Sequence, residues 1–60
     1  MRFTPTAIKR LRKRLGLTQI QFAEAVGVTE RAVAYWEAGT RGVSRLAQRA
    51  IERMKEERDG

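Results

Sequence analysis

The chain has 60 residues, of which 13 are Lys or Arg, seven are Asp or Glu, and none is His or Cys. This length suits one small domain over residues 1–60, and the formal charge of +6 favours polyanionic partners. The lack of thiols and imidazoles excludes a disulfide scaffold and removes the commonest metal ligands and general bases, so we expect no metal, no cofactor and no enzyme.

The apolar residues give no sign of a membrane or secretory segment. No apolar stretch approaches membrane-spanning length, and no apolar region of a signal peptide follows the basic N-terminus. We therefore expect a soluble, cytoplasmic protein without a membrane partner. A domain this small offers little material for a deep pocket, and we infer no small-molecule ligand.

The positive charge is unevenly distributed. Residues 1–20 contain no acid and carry these basic residues: Arg2, Lys9, Arg10, Arg12, Lys13 and Arg14. Charge alone leaves two interpretations open, a solubilising surface or a surface that binds a polyanion. The second becomes the better hypothesis only in combination with the helix pattern described next.

The first predicted helix begins near Thr4 and Pro5, because threonine is a good N-cap and proline suits the first helical position. Gly16 is a natural end for this helix. An apolar stripe with helical spacing runs along it, made of Ile8, Leu11 and Leu15. We expect this stripe to pack in the core.

Two short helices are predicted next, over a helix-turn-helix core of residues 18–38. Thr18 and Gln21 form a capping-box pattern at the start of the second helix, and Gly27 suits the sharp turn that ends it. The third helix is predicted to begin at Thr29 and to end near Gly39. Small and apolar residues share the inner faces of this pair: Phe22, Ala23, Val26, Val28, Val33 and Trp36.

A fourth helix is predicted after a loop, with Ser44 as its cap. Its expected apolar stripe consists of Leu46, Ala47, Ala50 and Met54, with Ile51 at the margin. The charged segment 55–60 is expected to fray. No segment alternates with the period of a strand, so we predict an all-α domain.

From Leu11 to Glu37 the sequence resembles the Cro and phage-repressor type of helix-turn-helix domain, also called the xenobiotic-response-element family. The resemblance implies a compact lambda-repressor-like fold with four or five helices. It also implies sequence-specific binding of double-stranded DNA by a transcriptional regulator, often a repressor, with the third helix in the major groove. Many members bind DNA as dimers, so we expect a homodimer on DNA.

The resemblance also implies roles for single positions. Those matching base-reading positions are Thr29, Glu30, Arg31 and Tyr35, and those matching backbone contacts are Thr18, Gln19, Thr40, Arg41 and Arg45. Arg12 and Glu37 match a pair that forms a structural salt bridge in the family.

Simpler roles stay open for several of these residues. Thr18 and Gln19 would serve as helix caps alone, Glu30 would pair with Arg31, and Tyr35 would cover the edge of the core. Arg41 and its neighbours in the loop would be solvated.

A second functional class is a protein-interaction module, such as an antitoxin whose main partner is a toxin protein. The family often has a charged residue where this chain has Ile20, and an amide or arginine at Tyr35. Exposed apolar residues would mark a protein contact, and the candidates are Ile20, Ile51 and Phe3.

Overall fold

The computed structural model describes residues 3–59, and side-chain surroundings for residues 3–56. Its four helices are α1 (Pro5–Arg14), α2 (Gln19–Val26), α3 (Glu30–Ala38) and α4 (Arg45–Asp59). The described residues between the helices form turns and irregular segments without a strand, so the all-α prediction is confirmed. Arg2 of the basic N-terminus and Gly60 of the charged C-terminal end lie outside the described residues.

Hydroxyl side chains begin the helices as predicted. Thr4 Oγ accepts a hydrogen bond from Ala7 N at 3.1 Å, and Thr29 Oγ accepts one from Ala32 N at 3.1 Å. Ser44 Oγ accepts one from the third residue of α4 at 3.2 Å. These bonds satisfy amides that have no partner within the helix, and each cap is worth about 1 kcal/mol.

The turn between α2 and α3 depends on Gly27, whose φ is 91°. Its N–H donates to Ala23 O at 2.8 Å, and Val28 N donates to the same oxygen at 2.9 Å. An L-residue with a side chain is strained at this φ, whereas glycine adopts it freely. The chain therefore turns sharply after α2, and only residues 27–29 separate α2 from α3.

One core joins the four helices, and its buried residues are Ile8, Phe22, Ala23, Val33, Trp36, Ala47 and Ile51. Ala23 is 2 % exposed, and its small side chain allows α3 to approach α2 closely. Val33 and Trp36 lie on one face of α3 and are both buried. The opposite face of α3 is thereby turned away from the core.

Three expectations for the apolar residues were wrong, those for Leu46, Ile51 and Phe3. Leu46 is 80 % exposed and Ile51 is fully buried, so Ile51 is a core residue and not an exposed candidate for a protein contact. The buried face of α4 is centred on Ala47 and Ile51, which are four residues apart, and Leu46 points about 100° away from Ala47. Phe3 was also expected to be exposed, but it is partly buried and packs against the core.

The fourth helix continues to Asp59, through most of the segment that was expected to fray. Fraying of residues 55–60 stays a prediction. Within the part of the chain that the structure describes, no helix is both long enough and apolar enough to cross a bilayer.

An ion pair connects α1 to the end of α3. Arg12 Nε lies 2.6 Å from Glu37 Oε2, and Arg12 Nη2 lies 3.2 Å from Glu37 Oε1. The two side chains are 14 % and 7 % exposed, respectively. Arg12 Nη1 also donates to Leu17 O at 2.9 Å, in the turn before α2. One guanidinium on α1 thus binds both the end of α3 and the turn before α2.

The surroundings of Glu37 favour its charged form. Burial raises the pKa of Glu37, but hydrogen bonds from Arg12 and Gln19 and the positive charges of Arg12 and Lys9 together lower it by more. The pKa of Glu37 therefore lies below its ordinary value. The carboxylate stays ionised in the folded protein at neutral pH, and its charge is matched by that of Arg12.

We predict that Glu37→Gln lowers the free energy of unfolding by about 3 kcal/mol at pH 7, because a nearly buried guanidinium loses its counter-charge. Thermal and urea unfolding followed by circular dichroism measure this change. Glu24→Gln is the matched control, since it removes one carboxylate from an exposed position on α2. A melting temperature equal to that of the control would contradict a stabilising role for the pair.

The same ion pair predicts how the free energy of unfolding depends on pH. Because the folded pKa of Glu37 is depressed, its contribution is fully present above the unfolded value of about 4.3 and is lost as the pH falls through the folded pKa. The stability difference between the wild type and Glu37→Gln should be constant from neutral pH to about pH 5 and then shrink. Urea titrations at a series of pH values measure this difference. If the wild type were still more stable than Glu37→Gln by the same amount at pH 2, the ionised form of Glu37 would not be the source of the stabilisation.

Candidate nucleic-acid interface

The outward face of α3 carries the predicted base-reading residues. Thr29, Glu30 and Arg31 are exposed at the start of the helix, and Tyr35 is partly buried one turn later. Among the described residues, the carboxylate of Glu30 forms no ion pair with Arg31. Both side chains therefore point into solvent with their charges available to a ligand.

The start of α2 lies beside the end of α3. Thr18 Oγ accepts from Gln21 N at 3.1 Å, and Thr18 N donates to Gln21 Oε1 at 3.0 Å, which confirms the predicted capping box. Gln19 Nε2 lies 3.3 Å from Glu37 Oε1, so its side chain bridges the two helices. The first amides of α2 have no partner within the helix, and they form a site suited to an anion.

The chain turns back sharply after α3. Gly39 has a φ of 77°, its N–H donates to Trp36 O at 3.2 Å, and Thr40 N donates to Tyr35 O at 3.0 Å. This pair of bonds is the Schellman arrangement, which ends a helix at a left-handed glycine. Thr40, Arg41 and Arg45 are exposed along the loop and the start of α4.

A cation–π contact joins the loop to α3. The guanidinium carbon of Arg41 lies 5.2 Å from the centre of the Tyr35 ring. A surface groove between α3 and the loop is lined by both residues and by Thr29, Arg31 and Ser44. The structure thus brings together three predicted base-reading residues and one predicted backbone contact, whereas Glu30, Thr18, Gln19, Thr40 and Arg45 do not line this groove.

The basic residues of α1 form a second surface. Lys9, Arg10 and Lys13 are exposed and line a shallow groove with Pro5 and Glu37. Because Gln19 bonds to the same carboxylate, this basic surface adjoins the start of α2. The positive charge of α1 therefore lies next to the start of α2.

The resemblance implies that Gln19 braces the third helix, and the bond of Gln19 to Glu37, 18 positions away, agrees with this. The contact between Tyr35 and Arg41 spans a helix end and was not predicted from the sequence. Gly39 is a sequence signal for that end, but the direction of the following chain depends on the turn geometry. Neither contact has a signature in the spacing of residues alone.

A protein-family model matches most of the chain. The model described as helix-turn-helix matches residues 8–53, from the middle of α1 into α4, which is well over half of the chain. None of the curated proteins compared with the chain matches it. The matched region contains the whole turn between α2 and α3, the buried faces of both helices and the exposed face of α3. The chain belongs to the Cro/C1-type helix-turn-helix family of DNA-binding regulators.

Proposed function

We propose that the protein is a sequence-specific repressor of transcription that binds double-stranded DNA with α3 in the major groove. The observation that carries this proposal is the division of α3 into two faces. Val33 and Trp36 are buried in the core, while Glu30 and Arg31 are exposed on the other side. A helix held in this way can enter a groove without disturbing the fold.

Arg31 is the main base-reading residue in this proposal. Its guanidinium is exposed and makes no ion pair with its neighbour Glu30, and a guanidinium binds guanine O6 and N7 with two parallel hydrogen bonds. Glu30 accepts a hydrogen bond from a cytosine N4 at an adjacent position. Thr29 lies at the N-terminus of α3, where its hydroxyl reaches a base edge or the nearby backbone.

Backbone contacts hold α3 in register on the DNA. Thr18 and Gln19 bind one phosphate with the first amides of α2, because helix N-termini carry positive partial charge. Thr40, Arg41 and Arg45 bind the other strand from the loop and the start of α4. These contacts supply affinity that depends on salt, and the base contacts supply preference among sequences.

A homodimer binds two half-sites about one helical turn apart, as other helix-turn-helix proteins do. Bound in this way across a promoter, the protein blocks transcription. Two exposed apolar side chains are candidates for the protein contact, since Leu46 is 80 % and Ile20 is 51 % exposed. The same exposure supports a second candidate function, binding to a protein partner such as a toxin.

We predict that selection from random duplexes enriches one motif with the wild type, and that Arg31→Ala loses preference for one guanine in it. Loss of a bidentate contact costs about 1–3 kcal/mol at that position. Sequencing of the selected pools measures the preference at every position. Arg53→Ala is the control, because it removes the same charge from an exposed position on α4 and leaves α3 unchanged.

The selection also separates the two candidate functions. A motif that is identical for the wild type and Arg31→Ala would contradict direct reading by Arg31. If no motif is enriched even at low salt, the protein-partner function replaces DNA reading as the first hypothesis.

We predict that Arg41→Ala reduces the steepness of the salt dependence by about one unit in the plot of log K against log salt concentration. The physical reason is that each phosphate contact releases roughly one counterion. Fluorescence anisotropy with a labelled duplex at several salt concentrations measures the slope. The Arg53→Ala variant should keep the slope of the wild type, and an unchanged slope in Arg41→Ala would mean that Arg41 binds no phosphate.

A further inference from the structure

The contact between Tyr35 and Arg41 suggests a role for Tyr35 that differs from base reading. We propose that Tyr35 is a positioning residue, whose ring holds the guanidinium of Arg41 in place to bind a DNA phosphate. The tyrosine hydroxyl takes no part in this. The proposal rests on the proposed function, because it assigns how one backbone contact of that interface is prepared.

The geometry of the contact is favourable. The guanidinium carbon of Arg41 lies 5.2 Å from the ring centre, within the range of about 6 Å in which the ring attracts a cation. Tyr35 is partly buried and Arg41 is exposed, so the ring is the more constrained partner of the two. Stacking on an aromatic face leaves the N–H groups at the edge of the guanidinium available to an anion.

Hydrogen bonding and packing also constrain the backbone that carries Arg41. The residue before it, Thr40, donates its N–H to the carbonyl oxygen of Tyr35 at 3.0 Å. The left-handed residue Gly39 lies against α1, because a Cβ at this glycine would lie 3.4 Å from Pro5 Cγ. The loop is therefore tied to the residue on which Arg41 stacks and is supported from α1.

The groove beside this contact suits a phosphate. Two guanidinium groups, of Arg31 and Arg41, line it together with the hydroxyl residues Thr29 and Ser44. No carboxylate is among the described residues that line it. A groove with two positive charges and two aliphatic hydroxyls attracts an anionic oxygen, and Arg41 lines it from the loop after α3.

Positioning of this kind increases affinity without adding a contact to DNA. A free arginine side chain loses rotamer freedom when it binds, and this loss opposes association. The stack removes part of that freedom before DNA arrives, so less is lost on binding. The aromatic face is what matters for this effect, and phenylalanine supplies it as well.

The test compares Tyr35→Phe, Tyr35→Leu and Arg41→Ala, singly and in combination, by anisotropy with the duplex selected by the wild type. Tyr35→Phe should bind within twofold of the wild type, and Tyr35→Leu should bind about 2–5-fold more weakly. In the Arg41→Ala background, Tyr35→Leu should have no further effect, because the group that it positions is gone. Preference among bases should be the same for all the Tyr35 variants.

Three results would overturn the proposal. An equal loss of DNA affinity in Tyr35→Phe and Tyr35→Leu would assign the effect to the tyrosine hydroxyl. A changed base preference in a Tyr35 variant would show that Tyr35 itself contacts bases. If Tyr35→Leu weakened binding as much in the Arg41→Ala background as in the wild type, the two residues would act separately. In each case wild-type DNA binding persists, so the result is distinguishable from failure of the proposed function, in which the wild type itself selects no motif.

A measurement on the free protein keeps the test valid if Tyr35→Leu unfolds. The side-chain NMR signals of Arg41 should be shifted upfield by the ring in the wild type and in Tyr35→Phe. The signals of the exposed Arg53 on α4 serve as the reference. Arg41 signals at the position of those of Arg53 would overturn the proposal without any DNA measurement.

Discussion

The arrangement of the DNA-facing elements depends on the ion pair between Arg12 and Glu37. The guanidinium reaches from α1 to the carboxylate at the end of α3 and to Leu17 O before α2, while Gln19 binds the same carboxylate from the start of α2. Three segments that are separate in the sequence are thereby held at one point. A domain of this size has a small core, and loss of one partner of a nearly buried pair costs about 3 kcal/mol or more, so we expect the pair to help orient the two helices.

The pair also reduces the repulsion between Glu37 and a DNA phosphate at the proposed interface. Glu37 is an acid beside the start of α2, where a phosphate is proposed to bind, and an unpaired carboxylate there would repel it. Arg12 and Lys9 lower the pKa of Glu37 and offset its charge, so the carboxylate can bridge α1, α2 and α3 at little cost to phosphate binding. Meanwhile the buried face of α3 leaves Arg31 on the outside, free to read bases. Structure and recognition thus use different residues of the same helix.

Much of this was predictable from the sequence, because it follows from local chemistry. The caps at Thr4, Thr18 and Thr29 and the turn at Gly27 are determined by a few neighbouring residues. The face of α4 was predicted only in part: Ala47 and Met54 pack in the core as expected, but Leu46 is exposed and Ile51, expected at the margin, is fully buried. The contact of Arg41 with Tyr35 depends on the exact path of a loop, and spacing in the sequence does not determine that path.

The most direct test of the account is an NMR titration of the ¹⁵N-labelled protein with the duplex that it selects. If α3 reads the DNA as proposed, the largest amide shifts fall at Gln19, from Thr29 to Tyr35, and from Thr40 to Arg45. The late part of α4, near Arg53, should be nearly unaffected. Shifts confined to the surroundings of Ile20 and Leu46, or to the basic face of α1, would contradict the claim that α3 reads the DNA.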